Sequence, residues 1–141
     1  MDYNKHTTQL DRARFSKTGY MNNTKWYEFF HLICTNKVNV QELRIKFLTT
    51  DKIYLYRVPT LDGFDKSGFL DGGHPGPFNY KEIEYLEISK QIIVERKNRE
   101  ETLAPTIILQ DIEMISELCN DIGQLLVEYS EGQNVIIYGY K

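Results

Sequence analysis

The stretch that decides the fold is NYKEIEYLEIS, residues Asn79–Ser89. Its β-branched, aromatic and aliphatic residues are interspersed with glutamates, which is typical of a strand in a partly buried sheet. The residues before it, DGFDKSGFLDGGHPGPF at 62–78, are rich in glycine and proline and predict a long surface loop over 59–78. We therefore expect a central strand that follows a long loop.

Upstream of this strand, apolar and charged residues alternate in two stretches, Val38–Phe47 and Ile53–Val58. The polar residues between them, 49–52, suit a turn, so these stretches predict a β-hairpin. Downstream, Gln91–Arg96 and Thr106–Gln110 flank a charged segment and predict a second hairpin, with a helix as the alternative for the first of them. Asn134–Tyr140, NVIIYGY, predicts a terminal strand inside the sheet.

Two stretches have the period of an amphipathic helix. The first follows the capping residues 22–24 and ends near Asn36. Its apolar face has i, i+3, i+4, i+7 spacing and consists of Trp26, Phe29, Phe30 and Ile33. Asp111 suits the N-cap of the second helix, which we predict to be the longer one and to end before Gly132.

These elements predict an α+β fold. We expect a single mainly antiparallel sheet of about five or six strands with the two amphipathic helices packed on one face, because no regular βα alternation is present. Residues 1–20 are polar and weakly basic and predict an N-terminal tail or arm, and residues 21–141 predict a single domain.

Composition narrows the classes of function. The net charge of −3 argues against general nucleic-acid binding, which requires an excess of basic side chains. No stretch reaches the ~20 apolar residues of a membrane span, and the first twenty residues hold no apolar run of a signal peptide. Cys34 and Cys119 lack metal-ligand spacing, so we expect reduced thiols, a cytoplasmic protein and no cofactor.

Three short motifs resemble one known family. They are MNNTKW at Met21–Trp26, YKEIEYLEI at Tyr80–Ile88 and IYGY at Ile137–Tyr140. The chain resembles a bacterial domain family of unknown function whose members open with the first motif and close with the last. In that family's middle strand a tryptophan commonly stands at the place of Tyr85. The resemblance implies no catalytic residues, and residues 1–20 depart from the pattern.

The loop over 59–78 is the first candidate for a site, because loops longer than about a dozen residues in compact domains often carry function. Its acidic residues and one histidine, Asp62, Asp65, Asp71 and His74, are candidates for a ligand or metal site, because divalent cations prefer carboxylate oxygens. Their spacing does not match an EF-hand, and the glycines lack the lysine of a P-loop. We therefore expect no metal, and the loop residues stay site candidates for a small enzyme or ligand-binding protein.

Two arrangements with histidine suggest catalysis only weakly. His31 and Cys34 lie three residues apart on the first helix, but Cys34 is on its apolar flank, which favours a buried structural thiol. His74 with Arg57 beside two tyrosines lacks a second histidine or a clear glutamate partner. We expect no catalytic residues and no enzyme.

The rear half of the chain is acidic. Residues 81–131 carry 12 acidic and 5 basic side chains. Such charges usually keep a surface soluble, but four of them have roughly helical spacing and are candidates for a partner-binding stripe: Glu113, Glu117, Asp121 and Glu128.

We therefore expect a non-enzymatic protein-binding module, in its most concrete form an immunity or antitoxin-like protein that masks a basic toxin. A structural or oligomerisation domain is the other alternative, and self-association stays open.

Overall fold

The computed structural model describes residues 3–71, 76–94 and 105–141. Within these residues lie three α-helices and nine strands. The helices are α1 (Tyr3–Phe15), α2 (Asn23–Thr35) and α3 (Ile112–Ile122). The strands are β1 (Glu42–Phe47), β2 (Ile53–Arg57), β3 (Phe69–Leu70), β4 (Phe78–Asn79), β5 (Ile83–Ser89), β6 (Gln91–Val94), β7 (Thr106–Leu109), β8 (Leu126–Ser130) and β9 (Asn134–Tyr138). No helix in these ranges is long and apolar enough to cross a bilayer.

Five strands form the main sheet in the order β2-β1-β5-β9-β8, and each neighbouring pair is antiparallel. The strand from the deciding stretch, β5, is the central one, as predicted. The predicted hairpins are also present, as β1 with β2 and β6 with β7. The α+β class and the mainly antiparallel sheet are therefore confirmed.

One core joins the sheet to both predicted helices. The four residues predicted as the apolar face of α2 are all buried, and Asn22 caps this helix by accepting a hydrogen bond from the backbone N–H of Lys25 at 2.8 Å. Asp111 caps α3 in the same way, accepting from Met114 at 3.1 Å. The buried residues of both helices share one cluster with inward-facing sheet residues such as Leu86. The helices thus cover one face of the sheet, called here the inner face.

The predicted length of the second helix is wrong. With 11 residues α3 is shorter than α2, which has 13. The helix ends at Ile122 because Gly123 follows with φ 115°, a backbone conformation that does not continue a right-handed helix. Residues predicted to be helical form strand β8 instead, which pairs with β9 through a turn containing Gly132 at φ 73°.

Two strands begin later than predicted. Tyr80–Glu82 forms a 3-10 turn, so β5 begins at Ile83. The first hairpin strand, β1, begins at Glu42, because the residues before it form turns after the end of α2. In one of these turns the N–H of Val38 donates a hydrogen bond to the carbonyl of Ile33.

The predicted surface loop is partly ordered by its own apolar side chains. Within it, β3 pairs with β4 at the end of the loop, and Phe64, Leu70 and Phe78 join the core. This short ladder could not be predicted from the sequence, because each strand has only two residues and the surrounding residues are rich in glycine and proline.

Helix α1 is an element that the sequence did not indicate. Its Leu10 is buried, but the described core cluster contains no residue before Met21. The chain after α1 runs beside the C-terminus, where Thr18 and Lys141 exchange backbone hydrogen bonds of 3.0 and 2.9 Å. Whether residues 1–20 are separable from the domain stays a prediction.

Candidate functional site

The side of the main sheet opposite the helices, called here the outer face, carries aliphatic side chains in contact with solvent. In the β1–β2 ladder, Leu43 and Tyr56 oppose each other on the inner face, so their neighbours Arg44 and Leu55 oppose each other on the outer face. Leu55 is 55% exposed and Ile53, two residues earlier on the same side, is 49% exposed. An edge strand thus presents two apolar side chains outward.

The β6–β7 hairpin is a separate two-stranded sheet that follows β5 directly, and its exposed side is included here in the outer face. Lys90 lies between β5 and β6, and its Nζ contacts the carboxylate of Glu113 on α3 at 3.0 Å, so Lys90 points to the inner side. Alternation along the strand then directs Gln91 and Ile93 to the outer side. Ile93 pairs with Ile107 and both are exposed, by 68% and 59%. The hairpin therefore has one apolar side that faces solvent.

The same hairpin is firmly attached at its base. On its other side Ile92 is buried. Gln110, only 1% exposed, donates to the carbonyl of Ser89 at 2.8 Å and accepts at Oε1 from the N–H groups of Gln41 and Glu42. These bonds join the residue after β7 to the end of β5 and to the start of β1, so a buried amide anchors the base of the hairpin.

A buried carboxylate marks the middle of the outer face. The β1–β5 register shifts between Lys46 and Phe47, which leaves Glu84 as the extra residue of a β-bulge. Its carboxylate forms ion pairs with Lys46 and with Lys17, the latter at 2.9 Å. Burial raises the pKa of Glu84, but the hydrogen bonds and charges of both lysines outweigh burial and hold the pKa below its ordinary value.

The other glutamates of the outer face are paired as well. Glu87 accepts from Asn134 at 2.8 Å, and Arg44 lies between Glu87 and Glu42 at 3.9 and 3.5 Å. At the β8 edge, Glu128 accepts from Lys141 at 2.7 Å and from the hydroxyl of Tyr138 at 3.1 Å. Each of these carboxylates is therefore compensated by a neighbour on the same face.

The predicted acidic stripe does not form one surface. Glu113, Glu117 and Asp121 follow each other at four-residue spacing on α3, and the last two are exposed. Glu128 is not on that helix: it lies on β8, opposite Ile136, and faces the outer side. The carboxylate of Glu113 already accepts hydrogen bonds from the Nζ of Lys90. The structure thus brings together three of the four candidates and places the fourth on the other side of the sheet.

The three loop candidates within the described residues, Asp62, Asp65 and Asp71, do not form one group. Asp65 accepts hydrogen bonds from the N–H and hydroxyl of Ser67, at 3.0 and 2.6 Å, and these bonds lower its pKa. Asp62 is exposed in a 3-10 turn, and the N–H of Asp71 donates to Gly63. His74 lies outside the described residues. Across the described ranges, no three His, Cys, Asp or Glu side chains are grouped to hold a metal ion.

Of the two histidine arrangements, His31 with Cys34 is not assembled, and the other includes His74, which lies outside the described residues. The ring of His31 stacks on Tyr27 at 5.7 Å, and the Sγ of Cys34 donates instead to the carbonyl of Pro59 at 3.1 Å. Burial raises the pKa of Cys34 and raises that of Cys119 to about 12, which keeps both thiols protonated. Strand alternation places Arg57 on the outer face and the neighbouring Tyr56 on the inner face.

Sequence reasoning missed the exposed apolar residues of the β6–β7 hairpin, Ile93, Ile107 and Leu109. A signal was present, because QIIV and TIIL are apolar at consecutive positions. A two-stranded hairpin with that pattern has apolar side chains on both sides, and only one side can pack on the domain.

Comparison with known proteins gives a family and no function. Searches of curated proteins and of solved structures find no match. A family model described as a family of unknown function, DUF6678, matches residues 10–141, which include all three motifs that suggested a family of this kind. The chain therefore belongs to the family of unknown function DUF6678.

Proposed function

We propose that this chain is a non-enzymatic protein-binding module that binds through its outer face. The observation that carries the proposal is the exposed side of the β6–β7 hairpin. Ile93, Ile107 and Leu109 are 68%, 59% and 52% exposed on one side of it. Contiguous apolar surface of this kind commonly marks a site of protein contact. A bacterial, cytoplasmic setting is part of the proposal and rests on the sequence.

The occupant that fits this face is a second copy of the chain. Its glutamates are compensated by neighbours on the same face, so burial leaves no carboxylate without a partner. Two such faces can meet about a two-fold axis without repulsion between unpaired carboxylates. The exposed acids of α3 lie on the other side of the sheet, where two copies would repel each other.

The test is the mass of the protein in solution. Sedimentation velocity over a wide concentration range is expected to give a dimer for the wild type and a monomer for Ile93→Lys/Ile107→Lys. Leu61→Lys is the matched control, because Leu61 is 54% exposed in the loop and not on the outer face. This control should stay dimeric.

A wild type that stays monomeric throughout the concentration range overturns the second copy as occupant. If a different protein then binds the wild type and not Ile93→Lys/Ile107→Lys, the outer face is a docking surface for that protein. Equal behaviour of all three proteins in both experiments overturns the proposal for the outer face.

A basic partner on α3 is the second candidate, and it carries the narrower proposal of an immunity or antitoxin-like protein that masks a basic toxin. The observation in its favour is that the acidic surface extends beyond one helix. Asp121 lines a cavity of about 240 Å³ together with Glu28 of α2, and Glu117 is exposed one turn away. Acids from two helices would speed the association of a positively charged protein.

Its test is association kinetics with any captured basic protein at low and physiological salt. Glu117→Lys/Asp121→Lys should slow association, whereas Asp51→Lys, a charge reversal in the exposed β1–β2 turn, should not. Glu113 is left unchanged because it holds Lys90 at the base of the hairpin. Equal rates for the two variants would reduce the acidic surface to a solubilising role.

A further inference from the structure

We infer that a separate site on this protein binds the phosphate group of a small molecule, in a cavity between the end of α1 and the start of α2. The cavity has a volume of about 470 Å³. Ligand pockets in proteins commonly span roughly 300–1,000 Å³, so the space suits a small organic molecule. Arg14 of α1, Asn22 before α2, Lys81 before β5 and Tyr140 after β9 come together in its wall.

The charge of the cavity selects the ligand. Arg14 and Lys81 line it, and no acidic residue does. Neither cation makes a side-chain hydrogen bond or ion pair within the described ranges, in contrast to Lys17 and Lys46, which share Glu84. Two cations without a partner at one cavity favour an anion with several acceptor oxygens, and a guanidinium matches phosphate in geometry.

The remaining wall is aromatic. Trp26, Tyr80 and Tyr140 line the same cavity. The hydroxyl of Tyr80 is already occupied, because it donates to the carbonyl of Asp65 at 3.0 Å. Tyr80 and Trp26 are almost fully buried behind this wall, so the partly exposed ring of Tyr140 offers the carbon surface that suits the organic part of a phosphorylated compound. Free phosphate would use only the two cations.

Trp26 provides a readout from within the cavity wall, because it is the only tryptophan in the chain and lies buried directly behind the cavity surface. Titration with AMP is expected to change its fluorescence in a saturable way, and adenosine, which lacks the phosphate, should bind at least about tenfold more weakly. Inorganic phosphate is titrated in parallel. Tighter binding of AMP than of inorganic phosphate identifies a phosphorylated compound as the ligand, and equal binding identifies free phosphate.

The variant that tests the cations is Arg14→Gln/Lys81→Gln, for which the dissociation constant of the phosphate ligand should rise by about tenfold or more. Arg12→Gln/Lys52→Gln is the matched control, since it removes the same charges from α1 and from an exposed turn, away from the cavity. Circular dichroism should show the same fold in both. No saturable change with AMP or phosphate, or equal constants for the two variants, overturns the site. Neither result bears on the outer face.

Discussion

The two faces of the main sheet have aliphatic side chains of the same types and opposite environments. On the inner face Leu86 and Ile45 are fully buried under the helices. On the outer face Leu55 is 55% exposed and Ile53 is 49% exposed, although both lie on strands of the same sheet. The comparison shows that alternation along a strand divides its side chains between two faces of the sheet. Which of the two faces becomes part of the core depends on the elements that pack over it.

The largest difference between the faces should appear in matched leucine substitutions. Leu86→Ala removes methyl groups from a packed site and is expected to lower the free energy of unfolding by about 2–5 kcal/mol. Leu55→Ala removes the same atoms from the outer face and should change it by less than about 1 kcal/mol. Urea unfolding of both variants, at a protein concentration below any dimerisation, measures the difference, and similar losses would mean that the outer face is covered within one chain.

The buried carboxylate of the outer face should be the next most sensitive position. Glu84→Gln keeps the size of the side chain but removes the charge that Lys17 and Lys46 share, and should cost about 1–3 kcal/mol at neutral pH.

The pH dependence of that cost has a definite sign. Because the pKa of Glu84 is lower in the folded protein, its contribution is fully present above the unfolded pKa, about 4.3 for a glutamate, and is lost as the pH falls through the folded pKa. Denaturant unfolding of wild type and Glu84→Gln between pH 7 and 3 should therefore converge in acid. A constant gap across this range would contradict the assignment.

Removal of residues 1–20 separates the core from the chain that runs beside it. We expect the truncated protein to keep one cooperative thermal transition, because the described core cluster begins at Met21. The melting temperature should fall, because the truncation removes the ion pair between Lys17 and Glu84 and the backbone hydrogen bonds between Thr18 and Lys141. Full-length Lys17→Gln is the control that isolates the loss of the ion pair. Loss of cooperativity on truncation would show that α1 is part of the core.

The smallest effect on stability is expected on the hairpin. Ile93→Lys should change the free energy of unfolding of the monomer by no more than about 0.5 kcal/mol, because the side chain is 68% exposed. Unfolding is measured at a protein concentration below any dimerisation, and Ile92→Lys, on the buried side of the same strand, is the contrasting variant. A large loss for Ile93→Lys would mean that the hairpin folds onto the domain.

Much of the fold could be predicted because its signals are local. The alternation in β1 and β2, the four apolar positions of α2 and the caps at Asn22 and Asp111 each depend on residues a few positions apart. The candidate site was predicted less well. Three acids of α3 share a helix as expected, but Glu128 was assigned to the wrong element because one glycine, Gly123, ends the helix.

The sequence by itself determined the α+β class, the central position of the NYKEIEYLEIS strand and the helix α2, because hydrophobic periodicity and capping residues can be recognised within one segment of the chain. Only the tertiary structure decided the strand order, the ion pairs of Glu84 in its bulge and the exposure of Ile93 and Ile107. The reason is physical: burial and charge compensation depend on what lies opposite a residue, and in a sheet that neighbour comes from a distant part of the chain.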